Sequence, residues 1–221
     1  MSPPLLVAPS ILAADFSRLG DEIRRVEAAG ADWIHCDIMD GHFVDNISFG
    51  PTIVATARQL TGLPLDVHLM IEHADRYLAR FIEAGADSIT VHVEPEARHD
   101  VAATLGSIRA AGRRVGLTLN PATPFELLEP HLPALDLLLI MTVHPGFSGQ
   151  PFRPEQMEKV QRARAWRDEH NPALHIQVDG GINARTAQVS IENGANVLVA
   201  GTSIFRTDDY AAAIRSLRSA G

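Results

Sequence analysis

Trp33-Ile34-His35-Cys36-Asp37-Ile38-Met39-Asp40-Gly41 is the stretch on which the fold turns. It is a short apolar run closed by a glycine, so it reads as a strand. Successive strand side chains point to opposite faces. His35, Asp37 and Met39 therefore share one face, and Ile34, Cys36 and Ile38 share the other. The second set is wholly apolar and belongs against a layer of helices. The first set must then face an enclosed interior. A strand covered on both faces is the mark of a parallel sheet flanked by helices.

Outward from this strand the same pattern recurs. Short Val-, Ile- and Leu-rich runs near 5–11, 33–39, 65–70, 88–93, 115–119, 136–142, 174–179 and 196–200 read as strands. Amphipathic stretches near 16–29, 50–60, 75–84, 98–111, 124–130, 154–169, 184–193 and 208–219 read as helices. Eight such units of about 28 residues each predict a (β/α)8 TIM barrel, class α/β, with residues 1–221 as a single domain. Ala29-Gly30-Ala31-Asp32, Ala84-Gly85-Ala86-Asp87 and Asn193-Gly194-Ala195-Asn196 form a weak repeat at helix-to-strand turns, with glycine as the helix C-cap. An open doubly wound sheet would usually carry Gly-x-Gly-x-x-Gly after the first strand. Ala8-Pro9-Ser10-Ile11-Leu12-Ala13-Ala14-Asp15 has no glycine there.

Barrels place their chemistry at the C-terminal ends of strands. On the third strand Asp66, His68 and Met70 share a face, and on the seventh His175, Gln177 and Asp179 do. His35, Asp37, His68 and Asp179 thus aim at one mouth. Two imidazoles and two carboxylates suit one divalent metal ion, Zn, Fe, Mn or Co. Asp66 and His175 lie deeper and are expected to partner other buried groups. Glycine turns follow the sixth, seventh and eighth strands. Gly146, Phe147, Ser148 and Gly149, then Gly180 and Gly181, then Gly201 and Thr202, are placed to hold a phosphate through backbone amides. Met39, Met70 and Met141 end their strands and would form an apolar wall beside the carboxylates.

Composition narrows the function. The net charge of −8 argues against a nucleic-acid partner. No basic amphipathic stretch points to a membrane, and no apolar run approaches the ~18 residues of a span. The N-terminus lacks a signal-peptide pattern, so a cytoplasmic enzyme is expected. Cys36 is the single cysteine, which excludes an internal disulfide. Lys159 is the only lysine among 19 Lys and Arg residues, and it sits in a polar helical stretch. It is expected to be solvated, which removes Schiff-base chemistry.

With these residues in place, the sequence resembles the ribulose-phosphate 3-epimerase family. The resemblance runs from Ala8–Asp15 to Val199–Phe205, through His35–Val44, Phe49–Pro51, Asp66–Met70, His144–Gln150 and Val178–Ile182. It implies a metal-dependent isomerase that interconverts D-ribulose 5-phosphate and D-xylulose 5-phosphate through a cis-enediolate. It implies that Asp37 and Asp179 act as base and acid, that Ser10 and His68 touch the sugar phosphate, and that the protein is a homo-oligomer. Asp45 stands where proline is usual, Ser148 where glycine is common and Thr202 where serine is common. The alternatives are a 3-epimerase for D-allulose 6-phosphate and a non-catalytic phosphosugar-binding barrel. An orotidine-phosphate-type decarboxylase would carry a lysine in the second-strand motif, and Asp37-Ile38-Met39-Asp40-Gly41 has none.

Overall fold

Eight parallel strands form one sheet in the computed structural model, which describes residues 3–147 and 149–219. They are β1 (Leu6–Pro9), β2 (Ile34–Met39), β3 (Leu65–Met70), β4 (Ser88–His92), β5 (Arg114–Leu119), β6 (Leu137–Met141), β7 (His175–Asp179) and β8 (Val197–Ala200). They pair in the order β1-β8-β7-β6-β5-β4-β3-β2. A bridge between Ser10 and His35 and an Asp32 amide on the Val7 carbonyl, 3.0 Å, bring β2 back to β1. The sheet is a nearly closed barrel. Around it lie α1 (Leu19–Ala28), α2 (Pro51–Leu60), α3 (Leu78–Glu83), α4 (Val101–Ala110), α5 (Met157–His170), α6 (Ala184–Asn193), α7 (Thr202–Phe205) and α8 (Tyr210–Arg218). No helix among the described residues is long and apolar enough to cross a membrane.

Register turns face parity into contacts. His35 lies beside Asp66, Asp37 beside His68 and Met39 beside Met70 on β2 and β3. Met141 lies beside Asp179 on β6 and β7. The outward set, including Ile34, Cys36, Ile38, Val67 and Leu69, joins the helices in the main core. The inward set stacks in layers, as barrel interiors do. Trp33, Leu137 and Val197 close the floor around Ala8. Buried His35, Asp66, Ser88 and Gln177 form a polar layer above it.

The repeat at the helix-to-strand turns has a structural purpose. Gly30, Gly85 and Gly194 adopt φ of 93°, 98° and 119°, the left-handed C-cap. The acidic or amide residue two positions on then binds an amide in the first two residues of a neighbouring strand. Asp32 accepts from Val7 N–H at 2.7 Å, Asp87 from Leu65 N–H at 2.8 Å and Asn196 from Ile176 N–H at 2.8 Å. Arg218 and Arg58 pair with the two aspartates.

Two expectations are corrected. The helix expected near 124–130 is instead two 3-10 segments, Phe125–Leu127 and Glu129–Ala134. Pro130 and Pro133 lack the N–H that α-helical bonding needs. Lys159 is not free in solvent. Its ammonium donates to the carbonyls of Asn120, Pro121 and Thr123 at 3.3, 2.7 and 2.8 Å, which fastens the turn after β5.

Gly116 of β5 faces Thr90 of β4 in register. A Cβ there would lie 2.9 Å from Thr90 Cα, inside contact distance. Gly116→Ala should therefore destabilise the barrel by about 1–3 kcal/mol, read as a lower urea midpoint. An unchanged midpoint would mean that β4 and β5 part without cost.

Candidate active site

β2, β3 and β7 bring four donors together. His35 Nε2 and His68 Nδ1 each lie 3.2 Å from Asp37 Oδ1. One ligand atom each of His35, Asp37, His68 and Asp179 fall within 4.8 Å of one another. Ligands on a tetrahedral ion at about 2.0–2.1 Å stand about 3.3 Å apart, so the donor set fits one metal ion.

The two aspartates differ in proton affinity. Burial opposes ionisation of Asp37, but His35 and His68 beside it overcome that and hold it well below the usual carboxylate range. Burial, then the Asp37 charge, pushes Asp179 up to about 7. Environments that push paired carboxylates apart assign one as base and the other as acid. Burial works against a charged His35, yet Asp37 and Asp66 on either side raise it well above its ordinary value. His68 is pushed down to about 4, chiefly by burial, and so keeps a lone pair for a ligand.

Further buried groups hold the histidines in turn. Asp66 Oδ2 lies 2.7 Å from His35 Nδ1 and accepts from Gln177 Nε2 at 2.7 Å, while Ser88 donates to Oδ1. His68 Nε2 lies 2.9 Å from His92 Nε2, and His92 Nδ1 lies 2.9 Å from Glu94 Oε2. Asp66 is thus the buried partner expected of it. His175 stays outside the site, bound to Asn196 at 2.9 Å and edge-on to Trp33. The sequence reading missed His92 and Glu94. The inward alternation Ser88, Thr90, His92 on β4 was the available signal for His92. Glu94 lies beyond the strand and had none.

Above the donors opens a cleft at the mouth of the barrel. Its walls hold Ser10, Asp37, Asp179, Met39, Met70, Met141, Gly146, Phe147, Gly149, Gly180, Gly181, Gly201 and Thr202. Ser148 lies outside the described residues. His35 and His68 are fully buried and do not line this cleft. Ser10 does reach the cleft, and its hydroxyl donates to Asp37 Oδ2 at 2.5 Å. Asp37 therefore turns one oxygen to the histidines and the other to Ser10.

The glycine turns need glycine. Gly180 and Gly181 have φ of 118° and 67°. A Cβ on Gly180 would lie 2.8 Å from Val143 N, and one on Gly181 would lie 2.6 Å from Phe152 N. The cleft is thus approached by bare backbone on this side. No lysine or arginine lines it among the described residues. The loop after β6 is tied by Gln150 to the carbonyls of His144 and Phe147, 2.6 and 2.9 Å, and by Asn46 to the Gly146 carbonyl, 2.5 Å. Phe147 stands 59% exposed at the mouth.

Comparison with known proteins matches this geometry to a family. The profile of the ribulose-phosphate 3 epimerase family matches residues 6–205. A ribulose-phosphate 3-epimerase of Synechocystis is 50% identical over 219 residues, 99% of this chain and 95% of its own. One of Bacillus subtilis is 49% identical, over 96% of this chain and 97% of its own. The chloroplastic ribulose-5-phosphate-3-epimerase of Arabidopsis thaliana is 45% identical, over 97% of this chain and 76% of its own. Among solved structures, KGPDC from Streptococcus mutans superposes with a TM-score of 0.71 at 15% identity, covering 98% of this chain and 96% of its own. The 3-hexulose-6-phosphate synthase of Salmonella typhimurium gives 0.69 at 16%, covering 98% of each chain. At that identity the structures speak for the fold alone.

Proposed function

The chain belongs to the ribulose-phosphate 3-epimerase family, and from that premise we propose that it interconverts D-ribulose 5-phosphate and D-xylulose 5-phosphate by passing the C3 proton between Asp37 and Asp179. The observation that carries the reading is the pair itself. Two carboxylates of opposite proton affinity meet over one cleft from strands three places apart in the barrel.

Inverting a carbon beside a ketone needs a proton taken from one face and one delivered to the other. A single base would tend to return the proton to the side it came from. Asp37 Oδ2, held by Ser10 at the cleft, is the atom placed to remove the C3 proton and leave a cis-enediolate. Asp179 delivers a proton from the other side, and the roles exchange in reverse. His35, Asp37, His68 and Asp179 would hold a divalent cation, which would supply Lewis-acid stabilisation of the enediolate charge, and zinc, iron, manganese and cobalt all suit the donor types. The Met39, Met70 and Met141 wall keeps water from the pair. Turns at Gly146, Phe147 and Gly149, at Gly180–Gly181 and at Gly201–Thr202 orient the phosphate, and the absence of cationic side chains among the described lining residues leaves that task to backbone amides.

Turnover of five- and six-carbon ketose phosphates tests the substrate assignment. The expected kcat/KM favours D-ribulose 5-phosphate over D-allulose 6-phosphate by about tenfold or more, since an added hydroxymethylene must find room between the metal donors and the phosphate turns. A preference for the six-carbon sugar would overturn it.

A further inference from the structure

Two buried carboxylates reach the two ligand histidines by different routes. Asp66 touches His35 directly, whereas Glu94 reaches His68 only through His92. We propose that Glu94 and His92 are positioning residues that select the His68 tautomer able to bind a cation, so that metal affinity is set two side chains away from the metal. This rests on the proposed cation site.

The argument follows the hydrogens. A neutral imidazole carries one N–H and one lone pair. Glu94, His92 and His68 are all buried, so water does not substitute for any partner. As a carboxylate, Glu94 only accepts. Its Oε1 is occupied by Asn120 N–H at 2.5 Å and the Thr123 hydroxyl at 2.7 Å, and its Oε2 faces His92 Nδ1 at 2.9 Å. His92 must therefore carry its proton on Nδ1 and present a lone pair at Nε2. That lone pair takes the His68 Nε2–H across 2.9 Å. His68 is left with a lone pair on Nδ1, the atom that faces Asp37 Oδ1. The opposite polarity would put N–H on His68 Nδ1 and block ligation. It would also set the His92 Nδ1 lone pair against a carboxylate. Partners of this kind typically change metal affinity by about 10–100-fold.

Glutamine at this position gives a specific reversal. The Asn120 N–H needs the amide oxygen, which turns the NH2 group toward His92 Nδ1. His92 then donates from Nε2, and His68 carries its proton on Nδ1. Glu94→Ala only frees the tautomer. Full-length wild type, Glu94→Gln and Glu94→Ala, stripped of metal, are titrated with Co²⁺ against a competing chelator, with visible absorption reporting the coordination. The expected Co²⁺ Kd rises about 10–100-fold in Glu94→Gln and less in Glu94→Ala. A purely structural role predicts the reverse order, because alanine leaves the larger void. A wild-type Kd and spectrum in Glu94→Gln, or a greater loss in Glu94→Ala, overturns the relay while leaving the cation site standing. Wild type that takes up no Co²⁺ overturns both. Should Glu94→Ala fail to fold, the Glu94→Gln Kd against wild type decides alone.

Discussion

Asp37→Asn and Asp179→Asn are each expected to lose about 10³-fold or more in epimerisation, the scale of losing a positioned acid or base. Asparagine keeps the shape of each side chain and removes its charge together with its capacity to carry a proton. The two losses should differ in a second measurement. With D-ribulose 5-phosphate in deuterated solvent, Asp179→Asn keeps the base that faces the C3 proton. It should retain slow exchange at C3 without inversion. Asp37→Asn should show neither exchange nor inversion from that substrate. Proton NMR of the C3 position separates the cases in one experiment. Full epimerisation in either variant would sink the two-base assignment, and inversion without exchange would point to a different chemistry.

The arrangement also eases a difficulty in using a metal ligand as a base. A carboxylate that gives both oxygens to a cation has little basicity left. Asp37 divides its oxygens, with Oδ1 toward His35 and His68 and Oδ2 toward Ser10 and the cleft. Asp179 sits beside Met141 in register, half-buried against the apolar wall, and its pKa is driven up by burial first.

Much of this was legible in the sequence because strand parity is a local property. Whether His35 and Asp37 face inward follows from the apolar residues between them. The barrel itself follows from eight such runs. The glycine turns were legible for the same reason, since Gly180 and Gly181 sit at fixed offsets from a strand end. What the sequence left hidden depends on register between strands. His92 touches His68 only because β4 is offset to place Thr90, not His92, opposite it. Glu94 enters from beyond β4, and its Oε1 is held by Asn120 and Thr123 after β5. Lys159 reads as a solvated helix residue until α5 is docked over that turn.

Removing divalent cations is expected to abolish turnover and to leave a folded protein whose stability falls as pH rises above about 6.5. The sign comes from three groups. Asp179 has a pKa of about 7 in the folded chain, against the ordinary carboxylate value near 4 when unfolded. Between about pH 4 and pH 7 the folded state therefore binds the proton that the unfolded state has lost, and stability declines with rising pH. His35, raised by Asp37 and Asp66, contributes stability that is present below its unfolded value and is lost as pH climbs through the folded one. His68, pushed down to about 4 by burial, acts in the opposite sense below its ordinary value of about 6.5 and offsets Asp179 there, so the net weakening of the stripped protein falls above about pH 6.5. A cation at the four donors takes the place of these protons, so its binding should release them and tighten as pH rises. At about 1,000 times its Kd a ligand adds roughly 4 kcal/mol, or roughly 10 °C in Tm for a chain of this size. The gap between loaded and stripped melting temperatures should accordingly be wider at pH 8 than at pH 5. Calorimetry at pH 6 in two buffers of different ionisation enthalpy should count one to two protons released per ion, about one from each of His35 and Asp179. A gap that does not change with pH, or binding without proton release, would show that the cation does not sit between the two carboxylates on which the epimerase chemistry depends.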